Sequence, residues 1–291
     1  MSIALHTRQI CPITLDLLEQ IRCFIHARAE KMFVSDTLAA FLQAAPASSL
    51  QQLPRFDRET LPFQNVALCI SLGGDGTFLE AAHYVNKLEI PLLGIHTGNL
   101  GFLARVKPEE TLTALTHFFD HTTSLEARTV LSLEREHFPP SFALNEIALL
   151  KQDSASMLTI DAYLEDQLIT TYWADGLIVA TPTGSTAYSL SCSGPIMLPT
   201  SNSFVLTPVN PHNLAVRPLV VPDTATLRFF VRSRTKEMLL TVDGRILKAT
   251  TQQPLTITKG PFVTKVVRFG CATIFDVLRE KLYWGADSRN K

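Results

Sequence analysis

Residues 66 to 77 constrain the fold of this chain more than any other stretch. Val66-Ala67-Leu68-Cys69-Ile70 is a short apolar run, the pattern of a strand buried on both faces of a parallel sheet. Leu72-Gly73-Gly74-Asp75-Gly76-Thr77 follows it, and Phe78, Leu79, Ala82 and Val85 then recur at helical spacing. A strand, a glycine-rich turn and a helix in that order belong to an open α/β domain, whose ligands lie at the carboxyl ends of the strands. Gly73, Gly74 and Gly76 let the backbone bend sharply and approach a ligand. The N–H groups of the following helix start favour an anion such as phosphate. Asp75 places a carboxylate inside that loop, where negative charge is unfavourable unless it holds a metal or accepts a proton. Neither common nucleotide fingerprint fits. Gly74, Gly76 and Leu79 occupy the glycine places of the dinucleotide pattern, so the last is wrong, and no Lys-Ser or Lys-Thr follows as in a P-loop. On this stretch alone, a tight turn with a surface Asp stands level with a phosphate site.

The surrounding sequence alternates strand-like and helix-like segments. Ile3 to His6 reads as a strand; Leu15, Leu18, Ile21, Arg22 and Ile25 suit a helix with Pro12 near its start. Met32 to Val34 is a second strand, and Leu38 to Ala45 a second helix that stops at Pro46. Residues 46 to 62, rich in Pro, Ser and Gln, read as a loop. Pro91 to Ile95 is a further buried strand, ending in the glycine-broken turn His96 to Gly101. Near residue 125 the character changes to short alternating runs. Leu158 to Leu164 alternates with period two, Glu165-Asp166-Gln167 reads as a turn, and Leu227 to Val231 and Met238 to Val242 are further strands. Asp243-Gly244 before Ile246 is a hairpin signal. This spacing predicts an all-β, sandwich-like second domain. Ile274, Val277, Leu278 and Leu282 return to helical spacing, stopped near Gly285.

Size and charge narrow the function classes. The 291 residues, 46% of them apolar, suffice for two filled cores. The 26 Lys and Arg against 27 Asp and Glu leave no basic surplus for a nucleic-acid partner. Cys11, Cys23, Cys69, Cys192 and Cys271 are scattered, odd in number and lack a C-x-x-C, which argues against a disulfide framework or a zinc site and for free thiols. No apolar run is long enough to span a bilayer, and residues 1 to 8 lack a signal-peptide core. The expectation is a soluble cytoplasmic protein with no membrane partner.

Three further stretches carry candidate chemistry. In Ala174 to Ser189 a strand, Leu177 to Ala180, leads into a segment crowded with hydroxyls from Thr183, Ser185, Thr186 and Ser189. Such neutral donors and acceptors suit ribose hydroxyls, an adenine edge or phosphates, and Asp175 can accept from a sugar or amide. A helix cap would need one such residue, not four, so the segment reads as ligand-binding. Asn145-Glu146 interrupts an apolar stretch, where polar side chains are costly without partners; Glu can accept from both hydroxyls of a ribose and Asn can read a base edge. A bulge or edge turn is the bland alternative. In the turn His96 to Phe102, Phe102 covers a ring or plugs the core, and Trp173 stacks on a base or packs. His96 and His212 are weak ligand candidates.

Together these residues resemble bacterial-type NAD kinases. The resemblance runs through Gly73-Gly74-Asp75-Gly76-Thr77, Gly98-Asn99-Leu100-Gly101-Phe102-Leu103, Asn145-Glu146, Asp175-Gly176 and Thr181 to Ser191. It continues through Pro211-His212-Asn213-Leu214 and Arg217-Pro218 to Leu278–Trp284, covering roughly residues 64 to 285. The glycine loop is shared with lipid kinases; Asn145-Glu146 with the Thr-Pro-Thr-Gly-Ser-Thr-Ala-Tyr-Ser run is more particular. The resemblance implies an α/β N-terminal domain with a parallel sheet, of NAD kinase/diacylglycerol kinase type, over 1–125. It implies a β-sandwich NAD-binding domain over 126–269 and a tail, 270–291, that returns to the first domain. It also implies transfer of a phosphoryl group to the 2′-hydroxyl of the adenosine ribose of NAD. ATP is the usual donor, with a divalent metal, Mg²⁺ above all; some members use polyphosphate. By position Asp75 is then the catalytic base, with Gly73, Gly74, Gly76 and Thr77 as the phosphate loop. The implied NAD contacts are Asp75, Gly76, Phe102, Asn145, Glu146 and Asp175. Thr183, Thr186, Ala187, Tyr188, Ser189, Leu190, Ser191 and Arg245 complete them, and no metal ligand is identified. Members form homodimers or homotetramers. The chain departs from the pattern at His96, where Asn is frequent, at Cys192-Ser193, where Ala-Gly is usual, and at Arg245, where Gln occurs. These changes bear on donor choice and affinity rather than on the reaction. A lipid or sugar kinase with the same loop is the rival enzyme, and a non-catalytic nucleotide sensor the rival of another class.

Overall fold

The computed structural model describes residues 1–9, 11–44, 49–152, 157–234, 236–251, 253–270 and 273–285; the side chains of Phe63 and Asn86 are also outside the description. The chain divides into two units: residues 1–127 with 264–291, and residues 128–263. Both divisions fall inside long strands rather than in loops.

The first unit alternates strand and helix: β1 (Ser2–His6), α1 (Pro12–His26), β2 (Lys31–Ser35), α2 (Asp36–Ala44), β3 (Arg55–Phe56), β4 (Val66–Leu72), α3 (Asp75–Val85), β5 (Leu92–Ile95) and α4 (Thr111–Phe119). β5, β4, β1, β2 and β3 lie side by side in that order, all parallel. Every residue of β1 and five consecutive residues of β4 are buried, as a strand covered on both faces requires. α1 starts at Pro12, whose missing N–H is no loss at a first helical position, and buries Thr14, Leu17, Leu18, Ile21 and Ile25 against the sheet core. The expected helix stop at Ala45-Pro46 lies outside the described residues. Residues 46–62 are not a plain loop. Ser49–Gln52 and Leu61–Phe63 form single 3₁₀ turns, and Arg55-Phe56 adds a short parallel strand to β2. Burial decides this: Leu50, Phe56 and Leu61 are inside, a gain that the Pro- and Gln-rich composition hides.

The second unit begins within β6 (Ser124–Arg135) and continues through β7 (Phe138–Ala143), β8 (Glu146–Leu150), β9 (Leu158–Leu164), β10 (Gln167–Ala174), β11 (Gly176–Ala180), the short helix α5 (Tyr188–Ser191), β12 (Ser203–Val209), β13 (Leu219–Pro222), β14 (Leu227–Arg232), β15 (Glu237–Val242) and β16 (Arg245–Thr250) into β17 (Leu255–Arg268). One layer is six-stranded and antiparallel, in the order β13-β12-β11-β8-β15-β16. The other contains β10, β9, β14 and the first part of β17, also antiparallel. Their facing residues, among them Leu149, Val179, Phe204 and Leu240 from one layer and Ile160, Phe229 and Ile257 from the other, form one core, the sandwich that the alternation predicts. The turn Asp243-Gly244 joins β15 to β16 with both residues at positive φ, +48° and +74°, the geometry a two-residue hairpin favours. The chain then re-enters the first unit. Val266 of β17 pairs with Leu92 of β5 in parallel, and α6 (Ile274–Leu282) is capped by Thr273 and Asp276, each side chain bonding the other's backbone N–H. No helix among the described residues is long and apolar enough to cross a membrane.

Candidate active site

In the first unit the chemistry gathers at the carboxyl ends of β1, β4 and β5. α3 begins at Asp75, so this residue opens the helix instead of sitting in the loop before it. The turn is made by Gly73 and Gly74; the Gly74 carbonyl already accepts from Thr77 and Phe78. The N–H groups just before that first bond are those a helix start offers to an anion. The Asp75 carboxylate reaches the turn after β5. Oδ2 accepts from the Phe102 N–H at 2.8 Å, and Oδ1 from Leu103 at 2.9 Å and Ala104 at 3.1 Å. A side chain at Gly101 would collide with Asp75 Oδ1, which explains why this turn needs glycine there. An ionised carboxylate has about four acceptor sites. Three are taken by the turn, which leaves room for one further proton donor.

Two cations flank this loop, which carries none of its own. Lys281 of α6 places Nζ 3.9 Å from Asp75 Oδ2 and 4.8 Å from the centre of the Phe102 ring. Phe102 therefore lies under a cation and is not a core plug. Arg8, just after β1, pairs with Glu80 at 3.1 Å, and its guanidinium lies beside Gly76. His6, fully buried below it, bonds the Ser35 hydroxyl through Nδ1 at 2.9 Å; burial first and the Arg8 charge second lower its pKa to about 4. Thr77 is buried against Gly73. His96 donates through Nδ1 to the Gly98 carbonyl at 2.8 Å, a role inside its own turn. A lone Arg or Lys forms no pattern, so nothing in the sequence singled out Arg8 or Lys281.

In the second unit Asn145 ends the turn between β7 and β8 and Glu146 opens β8, and both are buried. Asn145 Oδ1 and Glu146 Oε2 have no hydrogen-bond partner among the described residues. Such atoms are costly to bury and mark where a ligand's donors would be taken. The Glu146 carboxyl is pushed up to about 8, first by burial and then by the Asp243 charge, against one N–H from Tyr188. The hydroxyl-rich segment packs directly on this turn. Thr181 donates to the Leu144 carbonyl at 2.6 Å, and a side chain at Gly184 would overlap the Asn145 backbone. The Thr-Pro-Thr-Gly run and the Asn-Glu pair are thus one structure.

Those hydroxyls are used differently from the expectation. Ser185 and Ser189 are fully buried; Ser185 donates to the Pro182 carbonyl at 2.7 Å and accepts from the Met197 N–H, and Ser189 bonds the Thr207 hydroxyl at 2.8 Å. Thr183 accepts from the buried Arg128 at 3.3 Å, and Thr186 donates to the Thr183 carbonyl at 3.2 Å. They build the turn Gly184–Thr186 and helix α5, because buried hydroxyls close to backbone carbonyls find their partners there. α5 exposes Tyr188 and Ser191, while Ala187 and Leu190 are half-buried. Asp175 is held by Lys151 at 2.7 Å and Asn210 at 3.2 Å, and the Lys151 bond is the main reason its pKa is lowered. Trp173, next to it, is half exposed, and its carbonyl accepts from the His212 N–H. Arg245 directs its guanidinium to the Phe142 carbonyl at 3.2 Å.

Known proteins share this arrangement of parts. Residues 6–123 match the ATP-NAD kinase N-terminal domain and residues 144–269 the ATP-NAD kinase C-terminal domain. An NAD kinase of Flavobacterium johnsoniae is 37% identical over 300 aligned residues, covering 100% of both chains. An NAD kinase of Bacteroides fragilis is 48% identical over 227 residues, 76% of this chain and 78% of that one. Among solved structures, yeast NADH kinase complexed with NADH superimposes with a TM-score of 0.91 at 21% identity, covering 100% of this chain and 89% of the yeast one. An NAD kinase from Archaeoglobus fulgidus in complex with ATP gives 0.76 at 24% identity over 97% of this chain and 99% of the other. The two solved structures share the fold; the sequence relatives, one of them matched from end to end, place the chain in the NAD kinase family.

Proposed function

We propose that this chain transfers the terminal phosphoryl group of ATP to the 2′-hydroxyl of the adenosine ribose of NAD, giving NADP. The observation that carries the chemistry is the Asp75 carboxylate, fixed at the start of α3 by three backbone N–H groups with one acceptor site to spare. A ribose hydroxyl is a weak nucleophile at neutral pH. A carboxylate aligned on it takes the proton as the phosphoryl group arrives, worth roughly 10²- to 10⁴-fold. The loop Gly73, Gly74, Gly76 and Thr77 receives the donor phosphates on its backbone N–H groups. Charge neutralisation, the rest of phosphoryl-transfer catalysis, falls to Arg8 and Lys281. Asn145 and Glu146 take NAD hydroxyl or amide groups on their unpartnered oxygens. Asp175, Tyr188 and the backbone of 186–191 line the NAD contacts.

Among the described residues no group of three His, Cys, Asp or Glu side chains is placed to hold a metal ion. Mg²⁺ would then arrive with the donor, held by its phosphate oxygens. We further infer a homodimer or homotetramer working in the cytoplasm.

The deciding experiment is a coupled assay for NADP with ATP and with polyphosphate, each with and without Mg²⁺. NADP formed with ATP and Mg²⁺ is the expected result, and the polyphosphate arm settles donor choice. Tight binding of NAD with no NADP from either donor would replace the kinase by a nucleotide sensor. Light scattering on the same preparation reads the subunit count.

A further inference from the structure

Asp243 does more than its turn requires. A two-residue hairpin needs a residue that tolerates positive φ, and Asn or Gly would serve as well. Here the side chain folds back from the β15–β16 tip over a different loop. Its Oδ2 accepts from the Leu144 N–H at 2.7 Å, and its Oδ1 from Asn145 at 2.7 Å and Glu146 at 3.1 Å. The Asp243 N–H in turn donates to the Glu146 carbonyl at 3.0 Å. Successive N–H groups closed around one carboxylate form an anion nest. The nest holds the backbone of the two residues whose buried oxygens, Asn145 Oδ1 and Glu146 Oε2, lack partners among the described residues.

We propose that Asp243 is the positioning residue of the NAD site, fixing the 144–146 turn that aims Asn145 and Glu146 and governing through its charge when Glu146 takes a ligand's hydroxyls. This rests on NAD being the ligand. Burial raises the pKa of both carboxyls, but three N–H groups and Arg245 oppose the rise at Asp243, whereas Glu146 has a single N–H from Tyr188. The proton the pair retains therefore rests on Glu146. Among the described residues, Arg245 on β16 acts on Asp243, and Tyr188 on α5 faces Glu146. The Tyr188 phenol is pushed up by burial and by the charges of Cys192, Glu146 and Asp175, so it does not titrate in the same range. Ionised Glu146 accepts charge-assisted bonds from two hydroxyls; neutral Glu146 accepts more weakly. NAD binding should tighten as pH rises through the Glu146 transition, and the Asp243 charge sets where that transition lies.

The test measures KM for NAD and kcat from about pH 6 to about pH 9.5 for the native protein, Asp243→Asn and Glu146→Gln. In the native protein KM for NAD falls as pH rises through about 8. In Asp243→Asn the midpoint drops by about one pH unit or more. At about pH 9, where Glu146 is ionised in both, its KM for NAD is about tenfold or more higher, with kcat changed less than about threefold. In Glu146→Gln the pH step disappears. Superimposed profiles for native protein and Asp243→Asn would overturn the proposal. A step that survives Glu146→Gln would overturn it too, even if Asp243→Asn cannot be purified folded. No NADP from the native protein at any pH would instead sink the functional reading itself.

Discussion

Asp75 and Glu146 are both carboxylates, yet their surroundings assign them opposite tasks. Asp75 is held by three N–H groups with a lysine close by, so it is fixed in place at the start of α3. Replacing it by Asn keeps the volume but turns an amide towards those donors and removes the proton acceptor. Asp75→Asn should lose at least about 100-fold in turnover, and near-native turnover would remove Asp75 from the role of base. Glu146 is buried and short of donors. Its folded pKa, about 8 against 4.5, lies above the unfolded value, so stability is full below about 4.5 and is lost as pH rises to about 8. The loss at neutral pH is on the order of 3 kcal/mol. Glu146→Gln should therefore raise the melting temperature at pH near 8 and leave it unchanged near 4, while raising KM for NAD. A variant no more stable than the native protein at the alkaline end would show that Glu146 is satisfied in the fold and is not kept for a ligand.

At the scale of elements, each unit carries its candidate residues on a turn locked to its neighbours by a glycine. Gly184→Ala would press a methyl group into the Asn145 backbone and must displace the start of β8. We expect about 1–3 kcal/mol of lost stability and a weaker grip on NAD, read by thermal melts and by KM. A native KM would mean that β8 yields without moving Asn145. α6 depends on its cap: Thr273→Ala removes the hydroxyl's two bonds with Asp276 and leaves the backbone one, costs about 1 kcal/mol, and should lower turnover by loosening the helix that carries Lys281. Much of this was legible beforehand. The period-two run of 158–164, the strand at 238–242 and the Asp-Gly hairpin emerged as read, and so did the strand–glycine–helix unit except that its helix opens at Asp75, because each is a local pattern with a local cause. Arg55-Phe56 escaped notice because a two-residue strand has no period, and its stability comes from burying Phe56 under distant residues. The hydroxyls of 181–189 were readable as a special segment but not as internal bonds. Composition states that Ser189 has a hydroxyl, not that Thr207 waits for it from another strand. Arg8, Lys281 and Asp243 are single residues, each brought to the candidate residues of its own unit by topology alone.

For the whole molecule, one buried group in each unit, His6 and Glu146, should respond to pH in opposite directions. His6 sits at the heart of the parallel sheet with its pKa lowered from 6.5 to about 4. Its contribution is complete above about 6.5 and is lost as pH falls towards about 4, a loss of about 3 kcal/mol. His6→Gln should flatten the acid limb of the stability profile, seen as a smaller drop in melting temperature between those values; an unchanged limb would place the sensitivity elsewhere. The alkaline limb belongs to Glu146, in the other unit. The units also differ in how the chain supplies them, since the sandwich is continuous in sequence and the α/β unit is assembled from both ends. During synthesis the sandwich can close as soon as residue 263 has left the ribosome. Val106 closes only the Ile95 end of the β5 edge; the Leu92 end must wait for Val266, and for that interval a nascent chain carries a part-open apolar strand edge that a chaperone, or another nascent chain, can reach first.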